Sequence, residues 1–112
     1  ELYEQLVNKL SSSKRGNQPF KIVEYQSEED IIGCHILYID ETKSAIVSSK
    51  RKSLKTNSTL VITNKKGVLV DGSIINFVYP NKMTMFELSK SNATKSKLVI
   101  GKQISSLAVS VK

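Results

Sequence analysis

Three short and largely apolar runs constrain what this chain can fold into. They are Cys34 to Ile39 (CHILYI), Ser58 to Thr63 (STLVIT) and Ser73 to Tyr79 (SIINFVY). Each has the length and the β-branched and aromatic content of a strand. CHILYI is nearly all apolar, which suits a strand covered on both faces, as in a parallel sheet. Between the first two runs, Thr42 to Leu54 (TKSAIVSSKRKSL) reads as a helix with a thin stripe of Ala45, Ile46, Val47 and Leu54. Cations crowd its second half, where a helix dipole favours them. Strands separated by helices call for right-handed crossovers in a mostly parallel sheet.

The remaining segments extend this pattern. Residues 1–10 read as a helix with its stripe on Leu2, Tyr3, Leu6, Val7 and Leu10. Ser11 to Gln18 reads as a loop, and Phe20 to Tyr25 as a strand. Ser27 is a candidate N-cap, with Asp30 three residues on in a partial capping box. SIINFVY alternates across two apolar faces: Ile75, Phe77 and Tyr79 on one, Ile74, Asn76 and Val78 on the other. Pro80-Asn81-Lys82 is a tight turn, and Met83 to Leu88 returns to make an antiparallel hairpin. Ser89 to Lys97 reads as a short helix starting near Ser91 or Asn92. Ile100, Ile104, Leu107, Ala108 and Val111 then form an i, i+4, i+7, i+8, i+11 stripe that predicts a final helix.

The expected architecture is α/β: a mostly parallel, Rossmann-like sheet flanked by helices, with a β-hairpin in the C-terminal half followed by helices. At 112 residues the chain fits a single domain, 1–112. A parallel array that begins with a helix is unusual, and the chain opens at Glu1 without an initiator methionine. Both features suggest a processed or truncated piece whose first strand lies outside it.

The formal net charge is +7, from 17 basic and 10 acidic residues. Such a balance leans toward anionic surfaces. Nucleic-acid binding is disfavoured, because the lysines are dispersed and arginine, the preferred base reader, occurs only at Arg15 and Arg51. The one cysteine, Cys34, cannot form a disulfide within the chain. No run of 18 apolar residues is present, so nothing spans a bilayer.

Enzymatic readings find no support. The chain has no Gly-x-Gly-x-x-Gly, no phosphate-binding Gly-rich loop, no His-Glu-x-x-His, no Cys-x-x-Cys and no Gly-x-Ser-x-Gly. Cys34 and His35 are adjacent and diverge on a strand, so they make a poor nucleophile–base pair. No cofactor or metal is implied. Asp40 follows the second strand, and the carboxyl ends of strands in open α/β sheets are where ligands bind. Asp40 and Asn64 are therefore the candidate crevice residues. The hairpin carries adaptable methionine and aromatic side chains, which makes Tyr79, Met83, Met85 and Glu87 candidate interface residues. Asn76 joins them, as a polar residue inside an apolar strand that needs partners.

The second half of the chain also resembles a known family. Cys34-His35-Ile36-Leu37-Tyr38-Ile39 is similar to its "C-h-i-L-f-I" strand. Leu60-Val61-Ile62-Thr63, Gly67 and Asp71 through Val78 resemble its "vLTis-d--gf---GGmInfv" segment. Phe86-Glu87-Leu88 resembles "rFeiN", and Ala93, Leu98, Ile100, Ser105, Leu107 and Ala108 fall where the family has an alanine helix and then "GLkisSkLLrLA". The family is the YfiR-like, or DUF4154, proteins. The resemblance implies an α/β periplasmic protein, often dimeric. It further implies a regulator that restrains a membrane diguanylate cyclase by binding its periplasmic domain. It makes Cys34 a candidate redox residue whose partner would lie in the missing first strand. Departures are Ser89 where the family usually has asparagine, Lys97 where it usually has glycine, and Ser73 where it often has methionine. A small-ligand sensor and a nucleic-acid or anionic-surface binder are the alternative functions.

Overall fold

The computed structural model describes residues 33–112 continuously and, before them, residues 5, 14–15, 18–19, 23–25, 27, 29 and 31. The chain divides into two compact units, Glu1–Ile31 and Ile32–Lys112. In the first, β1 (Lys14–Arg15) and β2 (Gln18–Pro19) pair antiparallel, Lys14 opposite Pro19. This ribbon replaces part of the expected Ser11–Gln18 loop. Gln5 is helical, and the rest of the predicted 1–10 helix lies outside the described residues. Val23–Tyr25 form no strand, and the remainder of the Phe20–Tyr25 run lies outside the described residues. The Glu29 N–H donates to Ser27 Oγ at 3.3 Å, so Ser27 does cap a turn; its predicted partner Asp30 lies outside the described residues.

The second unit is built on a five-stranded sheet whose spatial order follows the chain. Its strands are β3 (Ile36–Ile39), β4 (Leu60–Thr63), β5 (Ile75–Val78), β6 (Met85–Leu88) and β7 (Ser110–Val111). β3, β4 and β5 run parallel, β6 turns back antiparallel to β5, and β7 lies parallel to β6. The sheet is α/β and mostly parallel, with the hairpin where the sequence puts it.

Between β3 and β4 the predicted helix is divided. Asp40 caps a 3-10 turn over Glu41–Lys43, and α1 (Ala45–Ser49) and α2 (Arg51–Thr56) follow, separated at Lys50 with φ −104° and ψ 9°. The serines that thin the stripe also weaken helix propagation. Only Val47 and Leu54 are buried from these helices. A hydrophobic cluster joins Ile74, Leu88 and Ala93, with Leu60, Ile75, Leu98, Ile100 and Ala108 packed against it. Each such aliphatic side chain contributes roughly 1.5–3 kcal/mol when fully buried. Among the described residues no helix is long and apolar enough to cross a membrane.

Two expectations are corrected. β3 is not covered on both faces. Leu37 and Ile39 are buried, whereas Ile36 and Tyr38 are 60% and 37% exposed. The final segment is not a long helix: α4 spans only Lys102–Leu107. Ala108 turns extended at φ −72° and ψ 141°. The Val109 N–H then donates to the Phe86 carbonyl and the Lys112 N–H to the Leu88 carbonyl, each at 2.8 Å. The open edge of β6 offers a ladder of backbone acceptors, and filling it outweighs one more turn of a helix whose Ile104 and Leu107 stay exposed.

The ends of α3 (Lys90–Lys95) hold Ser89 and Lys97 in defined cap positions. Ser89, not Ser91 or Asn92, is the N-cap; its Oγ accepts the Asn92 N–H at 3.0 Å. Serine and asparagine are equivalent in this role. At the other end the Leu98 N–H reaches the Ala93 carbonyl at 2.8 Å and the Lys97 N–H the Thr94 carbonyl at 3.0 Å. This Schellman arrangement places Lys97 at φ +61°, the left-handed region that favours glycine. Lys97→Gly is therefore expected to stabilise the protein by about 1 kcal/mol. Urea unfolding of both proteins checks this; an unchanged or lower midpoint contradicts the assigned cap.

Candidate functional site

A row of side chains on one face of the sheet crosses its strands. Backbone register aligns Ile39, Thr63, Asn76, Glu87 and Ser110 across β3 to β7. Asn76 is fully buried. Its Oδ1 accepts from Thr63 Oγ1 at 2.7 Å and from the Lys65 N–H at 2.9 Å. Its Nδ2 donates to Glu87 Oε2 at 2.8 Å. Thr63 and Ser73 hydroxyls meet at 2.7 Å, and Ser73 Oγ donates to the Ile75 carbonyl at 3.1 Å. Asn92 sends both amide hydrogens inward, to the Leu69 and Ser73 carbonyls at 2.8 Å.

The amide of Asn76 is thus satisfied within the sheet. Asn76 is removed from the interface set, because nothing of its side chain reaches the surface. Glu87 and Met85 are half-buried, Glu87 being turned toward Asn76. Tyr79 and Met83 are 55% and 60% exposed. The sequence shows that Asn76 needs partners; only the strand register shows that Thr63 and Glu87 supply them.

At the carboxyl ends of β3 and β4 the crevice residues come together. Asp40 Oδ2 accepts from the Thr42 hydroxyl at 2.8 Å and the Thr42 N–H at 3.1 Å. These two bonds, hydroxyl first, hold the Asp40 carboxyl below its ordinary 3.8, with a smaller contribution from Asn64. Asn64 Oδ1 is buried with no hydrogen-bond partner among the described residues. Lys65 Nζ reaches Ser44 Oγ at 3.2 Å. The cluster is chiefly a helix-start cap, with one unmet acceptor beside it.

Cys34 is half-buried, and desolvation pushes its thiol above the ordinary 9.0. That lowers the thiolate fraction at neutral pH and with it the reactivity. Its carbonyl accepts the Thr59 hydroxyl at 2.7 Å. His35 is exposed. Among the described residues no three of His, Cys, Asp and Glu gather to hold a metal ion.

The opposite face of the sheet carries Ile36 and Tyr38 on β3, Ile62 on β4, Phe77 on β5 and Phe86 on β6, as strand alternation and register require. Leu60, Ile75 and Leu88 on this face are covered at one end by Leu98, Ile100 and Ala108. Ile36 and Tyr38 remain open to solvent, and Tyr79 follows Phe77 at the end of β5. Partial burial raises the Tyr38 phenol above its ordinary 10.0, and Asp40, Tyr79 and Glu41 add to the shift through their charges. Tyr38 and Tyr79 are therefore within electrostatic reach of each other.

The family profile described as YfiR/HmsC-like, DUF4154, matches residues 1–109. The chain belongs to this family. A crystal structure of a conserved domain protein from Vibrio cholerae O1 biovar El Tor is similar in fold, with a TM-score of 0.60 at 11% identity. The likeness covers 76% of this chain and 38% of that one. No curated protein matches the chain. The row of Thr63, Asn76 and Glu87 is held by bonds within the sheet, and Ile36 and Tyr38 on the opposite face stay exposed.

Two outcomes follow from this geometry. Thr42→Val removes the strongest donor to Asp40 and should raise the Asp40 pKa toward 3.8; carboxyl-detected NMR titration reads it. Because the folded value is depressed, the stabilisation exists above the unfolded pKa and is lost as pH falls through the folded one. An unchanged Asp40 pKa in Thr42→Val contradicts the assignment. Asn76→Asp sets a second carboxylate against Glu87. It should cost on the order of 2–4 kcal/mol at neutral pH, and adding Glu87→Gln, whose amide can donate to the new carboxylate, should recover much of the loss. An Asn76→Asp/Glu87→Gln double variant no more stable than Asn76→Asp in urea unfolding rejects the Asn76–Glu87 contact.

Proposed function

We propose that this chain is a periplasmic regulatory domain that acts by binding a protein and has no catalytic role. The partner that fits its family is the periplasmic portion of a membrane diguanylate cyclase, whose output of cyclic di-GMP, and through it biofilm formation, the bound domain would restrain. The observation that carries this reading is the one-sided aromatic face. Ile36, Tyr38 and Tyr79 lie open on the side of the sheet opposite the buried polar row. Exposed tyrosines and aliphatics of this kind are enriched where proteins dock, and a soluble domain keeps such apolar exposure small unless it is used.

The test is co-expression of the full protein with its cognate membrane cyclase, reading cellular cyclic di-GMP, together with binding to the isolated periplasmic domain. Wild type should lower cyclic di-GMP. The Ile36→Glu/Tyr79→Glu double variant, folded by circular dichroism, should bind at least about tenfold more weakly and leave the cyclase active. Undiminished binding by the variant, or no binding by wild type, overturns the reading.

A second reading rests on Asn64 Oδ1, buried and unpartnered next to Asp40. It makes the strand ends a small-ligand sensor whose ligand donates a hydrogen bond there. A hydrogen-bond donor that raised the melting temperature in wild type but not in Asn64→Ala would favour it over the protein-binding reading.

A further inference from the structure

A shallow cleft of about 170 Å³ lies between α2 and α3. Its floor is Val47, Leu54 and Val61, all buried. Among the described residues three cations line it, Arg51 and Lys55 from α2 and Lys95 from α3, and no carboxylate does. Gly72 forms part of the wall at φ +124°. A Cβ there would lie 3.4 Å from Arg51 Cγ and 3.5 Å from Arg51 Nε, so the glycine lets the arginine stem lie flat against the backbone. Ser96 also lines the cleft and is 7% exposed.

We infer that this cleft binds a small organic anion: a phosphate monoester or carboxylate on an apolar body about the size of one ring. An engineered apolar cavity of about 150 Å³ accepts benzene, so a single ring fits the volume. The apolar floor receives the ring. The Arg51 guanidinium, with its forked donors, and the Lys55 and Lys95 ammonium groups meet the anion. The Ser96 hydroxyl in the lining supplies one further donor. Lys55 and Lys95 sit in the last turns of α2 and α3, where they also offset the carbonyl dipoles. The anion competes with that role, so the affinity is modest. The site lies on the helix-covered side of the sheet and is independent of the aromatic face.

The probe is phenyl phosphate, titrated into the full chain and followed by amide NMR, with benzyl alcohol as the neutral control. Saturable shifts are expected at Gly72, Ser96 and Val61, with no saturation by benzyl alcohol. Affinity should fall by about tenfold or more in Arg51→Gln/Lys95→Gln. If that variant does not fold, Lys55→Gln at an exposed position should weaken binding alone. The inference is overturned by unsaturable shifts spread over surface lysines, by equal affinity in the folded variant, or by equal binding of benzyl alcohol.

Discussion

One buried amide organises this sheet. Asn76 ties β4 to β5 through Thr63 and the Lys65 N–H, and ties β5 to β6 through Glu87. Oδ1 accepts twice and Nδ2 bonds a carboxylate, so the group is satisfied only if all three strands hold the observed register. A one-residue slip would reverse every side chain and leave the amide buried without partners. The polar row thereby selects one register among strands whose apolar residues alone would tolerate others. It also spends the one acid of the hairpin, Glu87, on structure.

Fixing that face decides the other. With Leu37, Ile39, Val61, Thr63 and Asn76 held inward, Ile36, Tyr38, Phe77 and Tyr79 must point the opposite way. The C-terminal segment covers only part of that side, through Leu98, Ile100 and Ala108. The docking face we propose is therefore backed by the buried polar row, and a rigid aromatic surface loses little entropy when it docks. The cationic cleft arises separately, from two short helices whose terminal cations converge over an apolar floor.

Much of the fold was legible in the sequence because strand signals are local. The hairpin, its turn and the parallel strands announce themselves by length, β-branching and Pro-Asn-Lys. Three things were not legible. CHILYI reads as doubly buried, but composition does not show which face gains a cover. The stripe from Ile100 to Val111 has helical spacing, yet the open edge of β6 captures its end as β7, a non-local gain that periodicity cannot report. Arg51 and Lys95 share a cleft although more than forty residues separate them. Among the candidate contact residues, the sequence shows that Asn76 needs partners, while the position of those partners depends on strand pairing.

The most direct test of the account is cross-saturation NMR on the labelled chain bound to the periplasmic domain of its cognate membrane cyclase. Saturation should concentrate at Ile36, Tyr38, Phe77 and Tyr79 and leave the α1–α2 surface untouched. Saturation confined to α1 and α2, or spread evenly over the chain, would contradict a docking face created by the buried polar row.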